Sequence, residues 1–184
     1  MPDYSNYSLN ELITLQHDNA AWYWLGMAYW ENGDNQNAAI WLNKTMNDSV
    51  NEWSGKATLN LGLLNLGNGK RDEDLRLFES IPKGIMSRLY AGFLYYEGTE
   101  TQKNPAKGKK LIEEAIKQLI KDDGDDEYLS QHECFRIAQM YSQEKIHTKK
   151  AIEYFLKSIN RCNLNYESDC QLKEFAEKSI ERLK

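Results

Sequence analysis

The sequence predicts an all-α chain, and three observations carry that expectation. Val50 is the single valine, against about twenty leucines and a dozen isoleucines, so the residues that best fit a pleated sheet are in short supply. The three prolines are Pro2, Pro82 and Pro105, two of them where a loop is expected. Glycine and proline together make about 8 % of the chain, below the usual ~12 %.

Charge and length narrow the class further. The chain has 184 residues, with 23 basic and 28 acidic side chains, a formal net charge of −5. Nucleic-acid binding needs a clustered positive surface, which this balance does not supply. With 41 % hydrophobic residues the chain carries enough apolar surface for one folded domain with its own core. The longest uncharged apolar stretch, Ala20 to Trp30, has eleven residues and falls short of the ~20 needed to span a bilayer. Met1-Pro2-Asp3-Tyr4 has neither the basic nor the apolar region of a signal peptide. A cytoplasmic location is therefore expected, with a periplasmic or secreted one as the alternative if a leader has been removed.

The elements follow in order. Ser8 with Glu11 three residues later makes a capping box in front of Leu9, Leu12, Ile13 and Leu15. Asn19 can open a helix to Asn32, which Gly33 stops. Ala38, Trp41, Leu42 and Thr45 mark a short amphipathic partner. A third helix from about Glu52 carries Ala57, Leu61 and Leu64 and ends at Gly67-Asn68-Gly69. Leu75, Phe78 and Ile81 mark its partner, closed by Pro82. The next pair runs from about Gly84 to Tyr96 and from Pro105, well placed in a first turn, to Ile120. Two helices follow at about Glu127–Gln143 and Lys149–Arg161, and a last one starts near Asp169. In that last helix Leu172, Phe175, Ala176, Ile180 and Leu183 form the apolar side, as a terminal cap requires.

These helices repeat. Leu25-Gly26-Met27-Ala28-Tyr29 superposes on Leu61-Gly62-Leu63-Leu64-Asn65 at a step of 36 residues. Further copies are Ala91-Gly92-Phe93-Leu94-Tyr95 and Ile137-Ala138-Gln139-Met140-Tyr141. Each is followed by a second motif: Ala38-x-x-Trp41, Asp74-x-x-Leu77, Gly108-x-x-Leu111 and Ala151-x-x-Tyr154. Two helices every 30–45 residues or so are the signature of a helical repeat array. The small residue at Gly26, Gly62, Gly92 and Ala138 lets the paired helix approach closely. The expected architecture is a right-handed α-solenoid of about four helix-turn-helix repeats (about 19–50, 52–82, 84–121 and 127–161), with capping helices at both ends, the C-terminal one about 169–184, forming a single domain over 1–184.

The pattern Leu25-Gly26-x-x-Tyr29, Gly33, Ala38-x-x-Trp41-x-x-Lys44 resembles the tetratricopeptide repeat, specifically its SEL-like branch. The third copy carries the likeness most clearly, with Gly98 after Tyr95 and Lys107-Gly108-x-x-Leu111-Ile112. Its turn is longer, Gly92 to Gly108 spanning 16 residues where Gly26 to Ala38 spans 12. The second copy is degenerate, with Asn65 for tyrosine and Asp74 for alanine.

The resemblance implies a concave groove lined by the first helix of each pair. Its positions carry over to Tyr23, Met27 and Trp30 in the first copy and to Leu59, Leu63 and Leu66 in the second. In the third they are Leu89, Phe93 and Tyr96, and in the fourth Phe135, Gln139 and Ser142. That set is uncharged and largely apolar or aromatic, which suits a helix or an apolar peptide segment; alternatively these side chains pack between neighbouring repeats. Tyr23 and Met27 stand where relatives that clamp a terminal carboxylate need lysine and asparagine. Secreted SEL-like relatives cross-link successive helices through cysteines eight residues apart, the separation of Cys162 and Cys170. Here Cys162 falls about three residues late and no other repeat has the pair, so a disulfide and two thiols in a reducing compartment both stay open.

No chemistry-bearing constellation stands out. His17, His132 and His147 lie in separate segments, and His132 and Cys134, two apart, face different sides of one helix. The run Asp122-Asp123-Gly124-Asp125-Asp126-Glu127 lacks the alternating ligand spacing of a calcium loop and reads as solvated. There is no phosphate loop, dinucleotide fingerprint, nucleophile elbow or zinc-protease motif. The expectation is a non-enzymatic module with no cofactor and no metal, binding a protein or peptide partner. A narrower alternative is a bacterial immunity protein or chaperone that neutralises or escorts a basic toxin or effector, which negative surface would steer. An enzyme of unrecognised type is the remote alternative.

Overall fold

Ser8 opens the first helix, α1 (Leu9–Thr14), in the computed structural model: its hydroxyl accepts from the Glu11 amide while the Glu11 carboxylate accepts from the Ser8 amide. The structure describes residues 3–48, 51, 53–66, 71–81, 83–98, 103–123, 127, 129–143, 147–162 and 167–184. Among these, regular structure is helical and no strand occurs. The ten α-helices among the described residues pack largely as neighbours in sequence, in two compact units, Met1–Leu94 and Tyr95–Lys184.

In the first unit a 3-10 turn at Asn19–Ala21 leads into α2 (Trp22–Glu31), followed by α3 (Asn35–Met46), α4 (Ser54–Leu66) and α5 (Arg71–Glu79). Each of these α-helices packs on the next, and α1 packs on α2. The α2–α3 corner is compact because one residue, Gly33, adopts φ 77°. Its amide bonds the Trp30 carbonyl at 2.9 Å and the Asp34 amide bonds the Tyr29 carbonyl at 2.9 Å, the paired bonds of a left-handed helix end. Asp34 immediately caps α3 by accepting from the Asn37 amide at 3.0 Å.

Gly26 and Gly62 sit where the paired helix comes close. A methyl group on Gly26 would lie 2.9 Å from the Leu42 side chain, and one on Gly62 would lie 2.6 Å from the Phe78 ring. Glycine therefore sets the separation of α2 from α3 and of α4 from α5. The core of this unit joins Tyr23, Ala38, Leu42, Ala57, Leu61 and Leu64, and a second cluster of Leu12, Ala21, Leu25 and Ala28 seats α1 on α2.

Helix α6 (Ile85–Glu97) gives its last turn to the second unit, which continues with α7 (Pro105–Asp123), α8 (Gln131–Ser142), α9 (Thr148–Asn160) and α10 (Glu167–Leu183). Helix α8 packs on α9, and α10 packs on both. At the seam of α8, Ala138 stands where α2 and α4 carry glycine, and it is fully buried along with Ala151.

Several details differ from expectation. Helix α8 starts at Gln131 rather than near Glu127, because Ser130 and Glu133 form a second capping box. Helix α5 ends at Glu79, leaving Ile81 outside it. In α10 the buried line runs through Ala176 and Ile180, with Leu172 and Leu183 half-buried, whereas Phe175 is 61 % exposed. Phe175 lies about 100° from Ala176 around the helix, off that line. Pro82, Gly67-Asn68-Gly69 and most of the acidic run after Asp123 lie outside the described residues.

Candidate functional site

In the first unit, the groove positions of α2 and α4 meet one another. Tyr23 is buried and its ring stacks on Trp53 with centroids 5.1 Å apart and planes 9° off parallel. The Asn60 amide nitrogen donates to the Tyr23 hydroxyl and to the Met27 sulfur, each at 3.0 Å. Burial pushes the Tyr23 hydroxyl above the ordinary phenol value, and the Asn60 bond pulls in the opposite direction. Met27 and Trp30 are half-buried against this core, and Leu59, Leu63 and Leu66 on α4 are half-buried as well. Leu89 and Phe93 of α6 are 0 and 1 % exposed. They, like Tyr23, contribute packing rather than surface.

In the second unit, Tyr96 in the last turn of α6 is half-buried, and its hydroxyl donates to Gln143 Oε1 at 2.9 Å. Beside it the Arg136 guanidinium grips Glu97 through two bonds of 2.7 and 2.8 Å. Phe135 is half-buried, edge-on to Phe155 at 5.5 Å, and Gln139 is exposed, its backbone oxygen accepting from Ser142. The surface expected of the groove thus reduces to Met27, Trp30, Leu59, Leu63 and Leu66 in one unit and to Tyr96, Phe135, Gln139 and Ser142 in the other.

The repeat motif hides a pairing that spacing alone does not reveal. In Trp41-x-x-Lys44 the ammonium lies 4.6 Å from the Trp41 ring centre and 3.9 Å from that of Trp22. In Tyr154-x-x-Lys157 the ammonium lies 4.6 Å from the Tyr154 ring. In the first and fourth copies the aromatic residue of the second helix and the lysine one turn later are a cation–π pair. The sequence carried both residue types in register; their mutual contact was the unread signal.

The cysteines divide. Cys134 is buried, and the Arg161 guanidinium donates to its sulfur at 2.9 Å. Cys162 is half-buried just beyond α9, and the Cys170 side chain lies outside the described residues, so the Cys162–Cys170 expectation lies there too. Among the described residues no three His, Cys, Asp or Glu side chains come together as a metal site. Among the same residues no helix is long and apolar enough to cross a membrane. Comparison of the sequence with protein-family models and with curated proteins gives no match.

Proposed function

We propose that the chain is a non-catalytic protein-interaction module, built as a right-handed solenoid of tetratricopeptide-like, SEL-like repeats. The observation that carries the functional part is the half-buried apolar series on α2 and α4: Met27, Trp30, Leu59, Leu63 and Leu66 keep accessible apolar surface. Two observations support the solenoid. First helices of successive copies touch, through Asn60 on Tyr23 in one unit and Tyr96 on Gln143 in the other. Glycine or alanine holds the within-pair seam at Gly26, Gly62 and Ala138.

The narrower reading, an immunity protein or chaperone for a basic toxin or effector, is favoured by the charge of residues 1–94, where seven basic face eleven acidic side chains. Affinity capture from the native organism with mass spectrometry tests both readings. The tagged chain is expected to retain a defined protein, and a Trp30→Ala, Leu63→Ser, Tyr96→Ala variant with an unchanged circular-dichroism spectrum is expected to lose it. Full retention by that folded variant would sink the groove. A single, tightly held basic partner selects the narrower reading.

A further inference from the structure

The second unit contains a cleft that the groove positions do not include. Glu113, Ile116, Lys117 and Ile120 of α7, Tyr141 of α8 and Lys150 of α9 enclose about 390 Å³. Its floor is apolar, made by two isoleucines and the phenol ring. Ile120 is 47 % exposed, so the cleft opens at the surface and suits a side chain projecting from a larger body whose backbone stays outside.

The charges at the rim are unbalanced. The Tyr141 hydroxyl lies 3.3 Å from Glu113 Oε1, donating to it. The Lys150 ammonium lies 5.0 Å from the Tyr141 ring centre, which holds it over the opening. Neither Lys117 nor Lys150 is ion-paired among the described residues, whereas Lys110, Lys157 and Lys178 have glutamate partners four residues away. Two ammonium groups thus face one carboxylate that is already hydrogen-bonded, leaving an excess of one positive charge beside an apolar floor.

We propose that this cleft receives an apolar side chain followed in sequence by an acidic one, presented by a protein partner. The apolar group lies on Ile116, Ile120 and Tyr141, and the carboxylate lies between Lys117 and Lys150. The inference rests on the interaction-module reading but uses a surface separate from the α2 and α4 series.

The test is an amide-resonance titration of the full chain with capped tetrapeptides centred on Phe-Glu, Phe-Gln or Phe-Lys. Phe-Glu at millimolar concentration is expected to move resonances around Ile116, Ile120 and Tyr141. Phe-Gln should bind several-fold more weakly and Phe-Lys more weakly still, with added salt narrowing the gap. K117Q/K150Q is expected to bring Phe-Glu level with Phe-Gln, and I120E, at an exposed position, to abolish binding with the spectrum otherwise intact. Equal binding of Phe-Lys and Phe-Glu, shifts that map elsewhere, or no shift at millimolar peptide would overturn the proposal. So would concentration-dependent shifts of these resonances without peptide, which make a second copy the occupant. Loss of partner capture by the Trp30, Leu63 and Tyr96 variant bears on the module reading alone, so the two failures are separable.

Discussion

The two units reach the same helix-pair packing with different chemistry. Residues 1–94 hold all five tryptophans, between Trp22 and Trp53, and only 18 charged side chains, while residues 95–184 hold none of the tryptophans and 33 charges. Helix α2 is apolar on nearly every side, since Glu31 is its single charge, whereas α9 and α10 gather most of their apolar residues on one side, with Leu156 and Phe175 exposed outside it. Contacts between elements in the first unit run through amides: Asn19 on Asp48, Asn51 on the Asn19 carbonyl, Asn60 on Tyr23. In the second, Arg136 grips Glu97 beside the bond from Tyr96 to the Gln143 amide. What the two share is a small buried residue at the seam, Gly26 and Gly62 in one and Ala138 in the other. Helix pairs need that complementarity, and they accept either an aromatic, amide-rich or a charged exterior.

The seam gives the strongest way to break this comparison. Gly62→Ala places a methyl against the Phe78 ring and is expected to destabilise the first unit by about 1–3 kcal/mol, read as a lower midpoint in tryptophan emission, which reports that unit alone. Ala138→Gly in the second unit should cost about 2 kcal/mol, roughly half from helix propensity and half from one lost buried methyl. If the glycine-to-alanine change were neutral, close approach would not be what sets the α4–α5 seam.

The capping boxes come next. Ser130→Ala is expected to cost about 1 kcal/mol, since it opens α8 where Gln131, Glu133 and Cys134 are buried. Ser8→Ala, at the exposed start of a six-residue helix, should cost less. Denaturant midpoints of the two variants decide the order.

Tyr23 sharpens the contrast through pH. Its folded-state pKa is raised above the ordinary phenol value of 10.0, mainly by burial. The folded state therefore holds the phenol proton more tightly. The stability this contributes is complete below pH 10 and is lost as pH rises through the folded value. Tyr23→Phe should flatten that alkaline decline, leaving the part owed to Tyr4, whose hydroxyl donates to Asp18. At neutral pH the same change removes one hydrogen bond, a loss of about 1 kcal/mol. An unchanged alkaline slope would show that Tyr23 is solvated.

The smallest effect tests what the units have in common. Lys44→Ala and Lys157→Ala should each cost about 0.5 kcal/mol, the worth of an exposed cation–π pair, with Lys44 the more costly because two indoles flank it. Thermal melts in low and high salt separate that contribution from ordinary surface charge.

The sequence by itself determined where helices form and where most of them end. Valine scarcity, the Ser8 box, Gly33 and Pro105 act within a few residues, through backbone sterics and local hydrogen bonds that need no tertiary partner. Ser130 with Glu133 was equally legible and marks α8 better than the apolar pattern does. The seam glycines were legible as well, because a small residue at a fixed offset has few other uses. Only the tertiary structure decided which groove positions keep surface. Tyr23, Met27 and Trp30 belong to one motif, yet Tyr23 is buried under Trp53 and Asn60, which lie a full repeat further along the chain. The α7–α9 cleft and the exposure of Phe175 were likewise decided there. Burial is set by neighbours that the chain brings together over long separations, and residue type at one position carries no record of them.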